Sequence, residues 1–205
     1  MNKYILVVLV TLAFAVTAAA QTFGIKGAYH LSNMAVGNDQ IDENNNKSGF
    51  SVGVINRYKT GFVIYHTELL WSRKGAKYSL LNRSTEVNAN LDYLELPLSI
   101  GINILSSPLS IYGGVYGAFL LNANYQYEDT DGNEIAKYEN RDAFNKLDFG
   151  LQTGIQLQFD NLLLDARFSR GLRDVEDDDI RVSNQTFLAN EIKNYNLQLS
   201  AGILF

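Results

Sequence analysis

The sequence predicts an all-β fold, an eight-stranded antiparallel up-and-down barrel, on three observations. Eight segments alternate apolar and polar residues with the period of a strand, and their connections are short and long in turn. Beyond residue 20, no apolar run approaches the roughly 20 residues that a membrane-spanning helix needs.

Residues 1–20 stand apart from this pattern. Met1, Asn2 and Lys3 make a short basic start, Tyr4 to Val16 is apolar except for Thr11, and Ala18-Ala19-Ala20 supplies small residues for cleavage. That is the layout of a signal peptide, so the chain is expected to be exported and to mature at Gln21. Residues 21–205 then form one domain. Losing Lys3 takes the 17 basic residues to 16 against 22 acidic. A mildly acidic chain with no basic stripe excludes nucleic acid as a partner. With 0 cysteines there is no disulfide frame, no thiol chemistry and no thiolate-held metal.

The strands follow in order. The first three are read as Phe23 to Ser32, Gly49 to Tyr58, and Phe62 to about Lys77, with noisier alternation than the rest. The fourth, Leu94 to Ile104, sets Leu94, Leu96, Leu98, Ile100, Ile102 and Ile104 against Glu95, Pro97, Ser99, Gly101 and Asn103. Leu109 to Tyr127 is long and rich in glycine and tyrosine. Leu147 to Phe159 alternates throughout, and Leu162 to Ser169 places Leu162, Leu164, Ala166 and Phe168 opposite Asp165, Arg167 and Ser169. On the last strand Tyr195, Leu197, Leu199, Ala201, Ile203 and Phe205 share one face; Leu204 is the sole apolar residue on the other. A period of two cannot lie along one face of a helix.

Lys59-Thr60-Gly61, Ser106-Ser107-Pro108 and Asp160-Asn161 read as tight turns, and the long polar stretches 33–48, 78–90, 128–145 and 170–191 as loops. Both chain ends then lie with the short turns, the arrangement of an outer-membrane barrel with periplasmic turns and external loops. The facing agrees. From Leu94 onward the apolar face carries no charge until Arg170 and Lys193 at the outer rim. A lipid-facing Lys or Arg near the midplane costs roughly 2–4 kcal/mol, so lipid selects such a face. Phe159 and Phe205 fall near the inner rim, and Tyr29, Trp71, Tyr125, Tyr127 and Tyr195 toward the outer one, as two aromatic girdles would. The expected barrel is therefore transmembrane, in the outer membrane of a Gram-negative cell, with outer-membrane lipids around it. A soluble ligand-carrying barrel, apolar inside, is the competing architecture.

Short motifs in order carry a family resemblance. Phe23-Gly24-Ile25-Lys26-Gly27, Glu68-Leu69-Leu70, Lys74-Gly75-Ala76-Lys77-Tyr78, Leu91-Asp92-Tyr93-Leu94-Glu95-Leu96-Pro97, Phe149-Gly150-Leu151 and Asp165-Ala166-Arg167-Phe168 resemble the PorT-like outer-membrane β-barrel family. The resemblance implies an eight-stranded barrel, and association of one member with a protein-secretion apparatus. Terminal Phe205 resembles the signature that such proteins present to the outer-membrane assembly machinery, an expected partner.

Inside, the polar face carries Lys26, Arg57, Glu68, Glu95, Asp148, Asp165 and Arg167, expected to pair as a structural charge network. Arg57 and Lys26 are the nearest cations for Glu68 and Glu95. Tyr93, Tyr112, Tyr116 and Leu120 should point inward and plug the lumen, which argues against a diffusive pore. Nucleophilic catalysis would use His66 with Glu68 and Ser72, or His30 with Ser32, because a hydroxyl needs an adjacent base. Residues two apart on a polar face occur without any such role. The sequence therefore predicts a non-enzymatic barrel without a cofactor or metal, displaying four loops for envelope structure, adhesion or a protein partner. A lipid-modifying enzyme is the alternative. Two acidic stretches, 129–134 and 174–179, read as solvated loops, the first with a fragment of a calcium-loop pattern. Asn44-Asn45-Asn46 reads as polar loop filler.

Overall fold

The computed structural model describes residues 21–36, 41–45, 47–80, 85–104, 107–129, 134–139, 146–172 and 192–205. Ten strands form one sheet: β1 (Gln21–Val36), β2 (Ile41–Asn45), β3 (Lys47–Thr60), β4 (Val63–Leu80), β5 (Thr85–Asn103), β6 (Leu109–Asp129), β7 (Glu134–Glu139), β8 (Leu147–Phe159), β9 (Leu162–Gly171) and β10 (Ile192–Leu204). Eight of them make the wall, in the order β1, β3, β4, β5, β6, β8, β9, β10, and β10 pairs back onto β1. Short β2 and β7 pair only with the outer ends of β4 and β6. Closure leaves the wall no unpaired edge, as a lipid environment requires.

The register sets the shape. A row of paired residues runs from Arg73 on β4 through Phe50, Tyr29, Leu199, Ala166, Ile155, Ile111 and Ile102, and returns to β4 at Val63. The ten positions from Val63 to Arg73 are the stagger of the closed sheet. Eight strands with that stagger tilt about 40° from the axis at ordinary strand spacings. A tube this narrow is filled by side chains.

Two tight turns close hairpins at the end where Gln21 and Phe205 lie. Gly61 takes φ of 59°, a conformation glycine adopts without strain, between paired Thr60 and Val63. Asp160 takes φ of 46° between paired Phe159 and Leu162, a position that Asp tolerates better than most residues. Pro97 has no N–H to donate, and the β4–β5 ladder skips from Thr67 opposite Leu98 to Leu70 opposite Glu95.

The facing matches the alternation. Ile25, Val52, Val54, Leu98, Ile100, Ile111, Val115, Leu151, Ile155 and Leu199 are exposed around the middle of the wall. Phe23, Phe62, Tyr65, Phe159 and Phe205 are exposed at the turn end, and Tyr29, Phe50, Phe149 and Phe168 toward the other. Aliphatic residues between two aromatic belts are the exterior of a membrane barrel and the reverse of a soluble carrier. The side chains of Tyr125 and Tyr127 lie outside the described residues.

Two expectations need correction. The stretch 78–90 is not a long loop, since β4 runs to Leu80 and β5 begins at Thr85, with Tyr78 paired to Val87. Beyond the lipid both faces of a strand meet water, so polarity there does not mark a loop. Likewise Asn44 and Asn45 belong to β2 and pair with Tyr78 and Lys77. Leu204, the odd apolar residue of the last strand, faces inward and clusters with Ile55 and Leu163. The stretches 1–20, 130–133 and 174–179 lie outside the described residues.

Candidate functional site

The lumen is layered along its axis. At the turn end, Ile55, Leu163 and Leu204 form an apolar cluster from β3, β9 and β10. Beside it Arg57 hydrogen-bonds the Gln158 amide oxygen and donates from Nε to His66 Nε2 at 3.4 Å.

The middle layer is ionic. Lys26 Nζ lies 3.1 Å from Glu68 Oε1 and 3.0 Å from Asp165 Oδ1. Arg167 Nη2 lies 2.5 Å from the same Glu68 oxygen and 3.9 Å from Asp165. Tyr112 completes the ring, donating to Asp165 Oδ2 at 2.5 Å and accepting from Arg167 Nε at 3.0 Å. Ser200 Oγ donates to Asp165 Oδ1 at 2.9 Å. Two cations and two carboxylates, all buried, cancel in place, the condition under which buried charge is tolerated, and of their carboxylate oxygens Glu68 Oε2 alone is left without a hydrogen-bond partner.

A second cluster lies toward the outer end. Lys74 pairs with Glu95, and its ammonium sits 5.3 Å from the Tyr116 ring centroid and 5.9 Å from that of Tyr93. Tyr116 donates to Asp148 Oδ2 at 3.3 Å. Beyond it, Leu91, Tyr93, Leu120 and Ala123 are buried on paired positions of β5 and β6. A bulge creates this layer. Asp92 pairs with Asn122 and Tyr93 with Leu120, so Leu121 is the extra residue and β6 changes phase there.

Glycine makes room for the tyrosines. Tyr112 is paired with Gly154 and Tyr116 with Gly150. A Cβ at Gly154 would stand 2.5 Å from Tyr112 Oη, and one at Gly150 would stand 2.6 Å from Tyr116 Cε1. Each ring thus lies across a bare stretch of its neighbouring strand.

All seven charged residues singled out from the sequence face the lumen and are buried. Their pairing differs from expectation in one respect. Glu68 does meet Lys26, but Glu95 meets Lys74 rather than Arg57 or Lys26. Lys74 was missed, although it continues the alternating phase of Glu68, Leu70 and Ser72. The catalytic pairings do not form. Ser72 Oγ donates to Ser51 Oγ at 2.9 Å, Ser32 Oγ to the Lys47 carbonyl at 3.2 Å, and His66 Nε2 accepts from Arg57. Among the described residues no three His, Cys, Asp or Glu side chains converge as metal ligands. Phe205 is exposed at the wall's turn end, its N–H donating to the Phe23 carbonyl at 2.7 Å.

Comparison with known proteins adds the family context. The model of a family described as outer membrane protein beta-barrel domain matches residues 19–177. No curated protein matches the sequence. Among solved structures, Neisserial surface protein A is similar at 13% identity and a TM-score of 0.50, over 89% of this chain and 97% of that one. A major outer membrane protein from Thermus thermophilus is similar at 15% identity and a TM-score of 0.47, over 91% of this chain and 100% of that one.

Proposed function

Because the chain belongs to the outer membrane protein beta-barrel domain family, we propose that it is a non-conducting, non-enzymatic barrel whose rigid wall displays loops for envelope structure, adhesion or partner binding. The filling of the lumen by paired charges and tyrosines is the observation that supports this reading. The Ile55, Leu163 and Leu204 cluster stands below the interlocked Lys26, Glu68, Asp165 and Arg167, and the Lys74, Glu95 and Tyr116 cluster stands above them. An ion would have to displace paired charges and cross an apolar layer, each a steep barrier in a low-dielectric tube. The histidines lack the hydroxyl contacts that nucleophilic catalysis needs. The surface left for recognition is then the loop end. A secretion-accessory role is the closest variant of this reading and is carried by the resemblance of the ordered motifs to the PorT-like group alone.

Reconstitution in planar bilayers tests the reading, with no steady single-channel current expected. Stable conductance, or phospholipase or deacylase turnover lost in His66→Ala, would overturn it.

A further inference from the structure

Two arginines, Arg73 and Arg170, face outward at the loop end of the wall, and the fold treats them differently. Arg73 lies 5.4 Å over the Trp71 ring and is held by Asp92, with contacts of 2.7 and 3.1 Å to the two carboxylate oxygens. Its charge is answered within the protein. Arg170 is exposed and lies 5.3 Å over the ring of its cross-strand partner Tyr195. Among the described residues no carboxylate pairs with it.

Around Arg170 the wall is apolar and exposed. Leu151 is its other cross-strand neighbour, Phe168 on β9 and Leu172 just past the end of β9 flank it, and the Phe168 and Tyr195 rings lie 6.3 Å apart. A guanidinium resting on a ring keeps its edge N–H groups free for an acceptor alongside. At this height, just above the aliphatic belt, an outward cation meets the lipid headgroup region rather than hydrocarbon. A molecule that supplies both an anion here and hydrocarbon below would satisfy both surfaces.

We propose that Arg170, laid on Tyr195, seats a phosphate of an outer-leaflet lipid, whose acyl chains run down over Phe168 and Leu151. The planar fork matches two phosphate oxygens at once, which favours phosphate over a singly contacting anion.

Native mass spectrometry of the detergent-solubilised full chain tests this with bisphosphorylated lipid A, the same lipid stripped of phosphate, and inorganic phosphate. Lipid A should bind wild type about tenfold more tightly than it binds Arg170→Gln, the worth of one charge-assisted contact pair. Arg73→Gln should bind like wild type, the stripped lipid should lose the same factor on wild type, and inorganic phosphate should not displace lipid A. Equal binding of intact and stripped lipid by wild type overturns the proposal without recourse to any variant. So does equal loss in Arg73→Gln and Arg170→Gln, which would mark diffuse charge attraction. Displacement by inorganic phosphate would assign the seat to a free anion instead.

Discussion

Arg167 and Glu68 meet at 2.5 Å across the full width of the barrel. Their strands, β9 and β4, are four places apart in either direction round the closed wall. The contact is therefore a strut between opposite walls, and Lys26 and Asp165 brace it from β1 and β9. Removing one end leaves buried charge without its partner. Arg167→Met should destabilise the barrel by about 3 kcal/mol, and Arg167→Met with Glu68→Gln by less than the two changes summed. Denaturant unfolding in lipid vesicles measures both. Strict additivity would mean that the strut carries no coupling.

The tyrosine that completes this layer depends on Gly154. In Gly154→Val the new side chain would overlap Tyr112 and the neighbouring Ala166 carbonyl, whose oxygen already stands 2.6 Å from a Cβ built there. Crowding of this kind costs roughly 1–3 kcal/mol. Tyr112→Ala should cost less in a Gly154→Ala background than in wild type, read from unfolding midpoints. Equal cost in both backgrounds would show that ring and glycine are energetically independent.

Leu199 and Gln198 are sequence neighbours on opposite faces of β10, the first exposed and the second buried. Leu199→Arg places a charge against acyl chains in the middle of the belt and should cost roughly 2–4 kcal/mol. Gln198→Ser stays within the polar lumen and should cost less than about 1.5 kcal/mol, a small polar loss. Heat-modifiable mobility on gels and unfolding midpoints separate the two. Equal folding of both variants would contradict the assigned facing.

The strands were legible wherever lipid imposes alternation. From Leu147 to Phe159, and on the terminal strand, every second side chain meets hydrocarbon, and the pattern fixes strand and facing together. Above the belt that constraint ends. Asn88, Ala89 and Asn90 lie in β5, paired on both sides, yet their composition reads as loop. The lumen charges were legible as a set because each falls on the polar phase, between apolar residues that face outward. Beyond Lys26 with Glu68, their partners were not, because Arg167 reaches Glu68 across the tube, between residues 99 apart in sequence. Lys74 was hidden for a local reason: it stands beside Arg73, and only a settled phase tells which of the two points inward. Leu204 looked like a break in the pattern because the apolar cluster at the turn end is assembled from residues 55, 163 and 204, far apart in sequence.

Which side of the wall is oily decides both the membrane assignment and the polar lumen. The chain has 0 cysteines, so single cysteines carrying a spin label can be placed along β10 from residue 196 to residue 203 without interference. In lipid vesicles, labels at 197, 199, 201 and 203 should collide readily with oxygen dissolved in the bilayer, and labels at 196, 198, 200 and 202 should be shielded. A period of two in that phase is the predicted result. The opposite phase, or accessibility without period, would contradict the barrel's orientation and the filled lumen built on it.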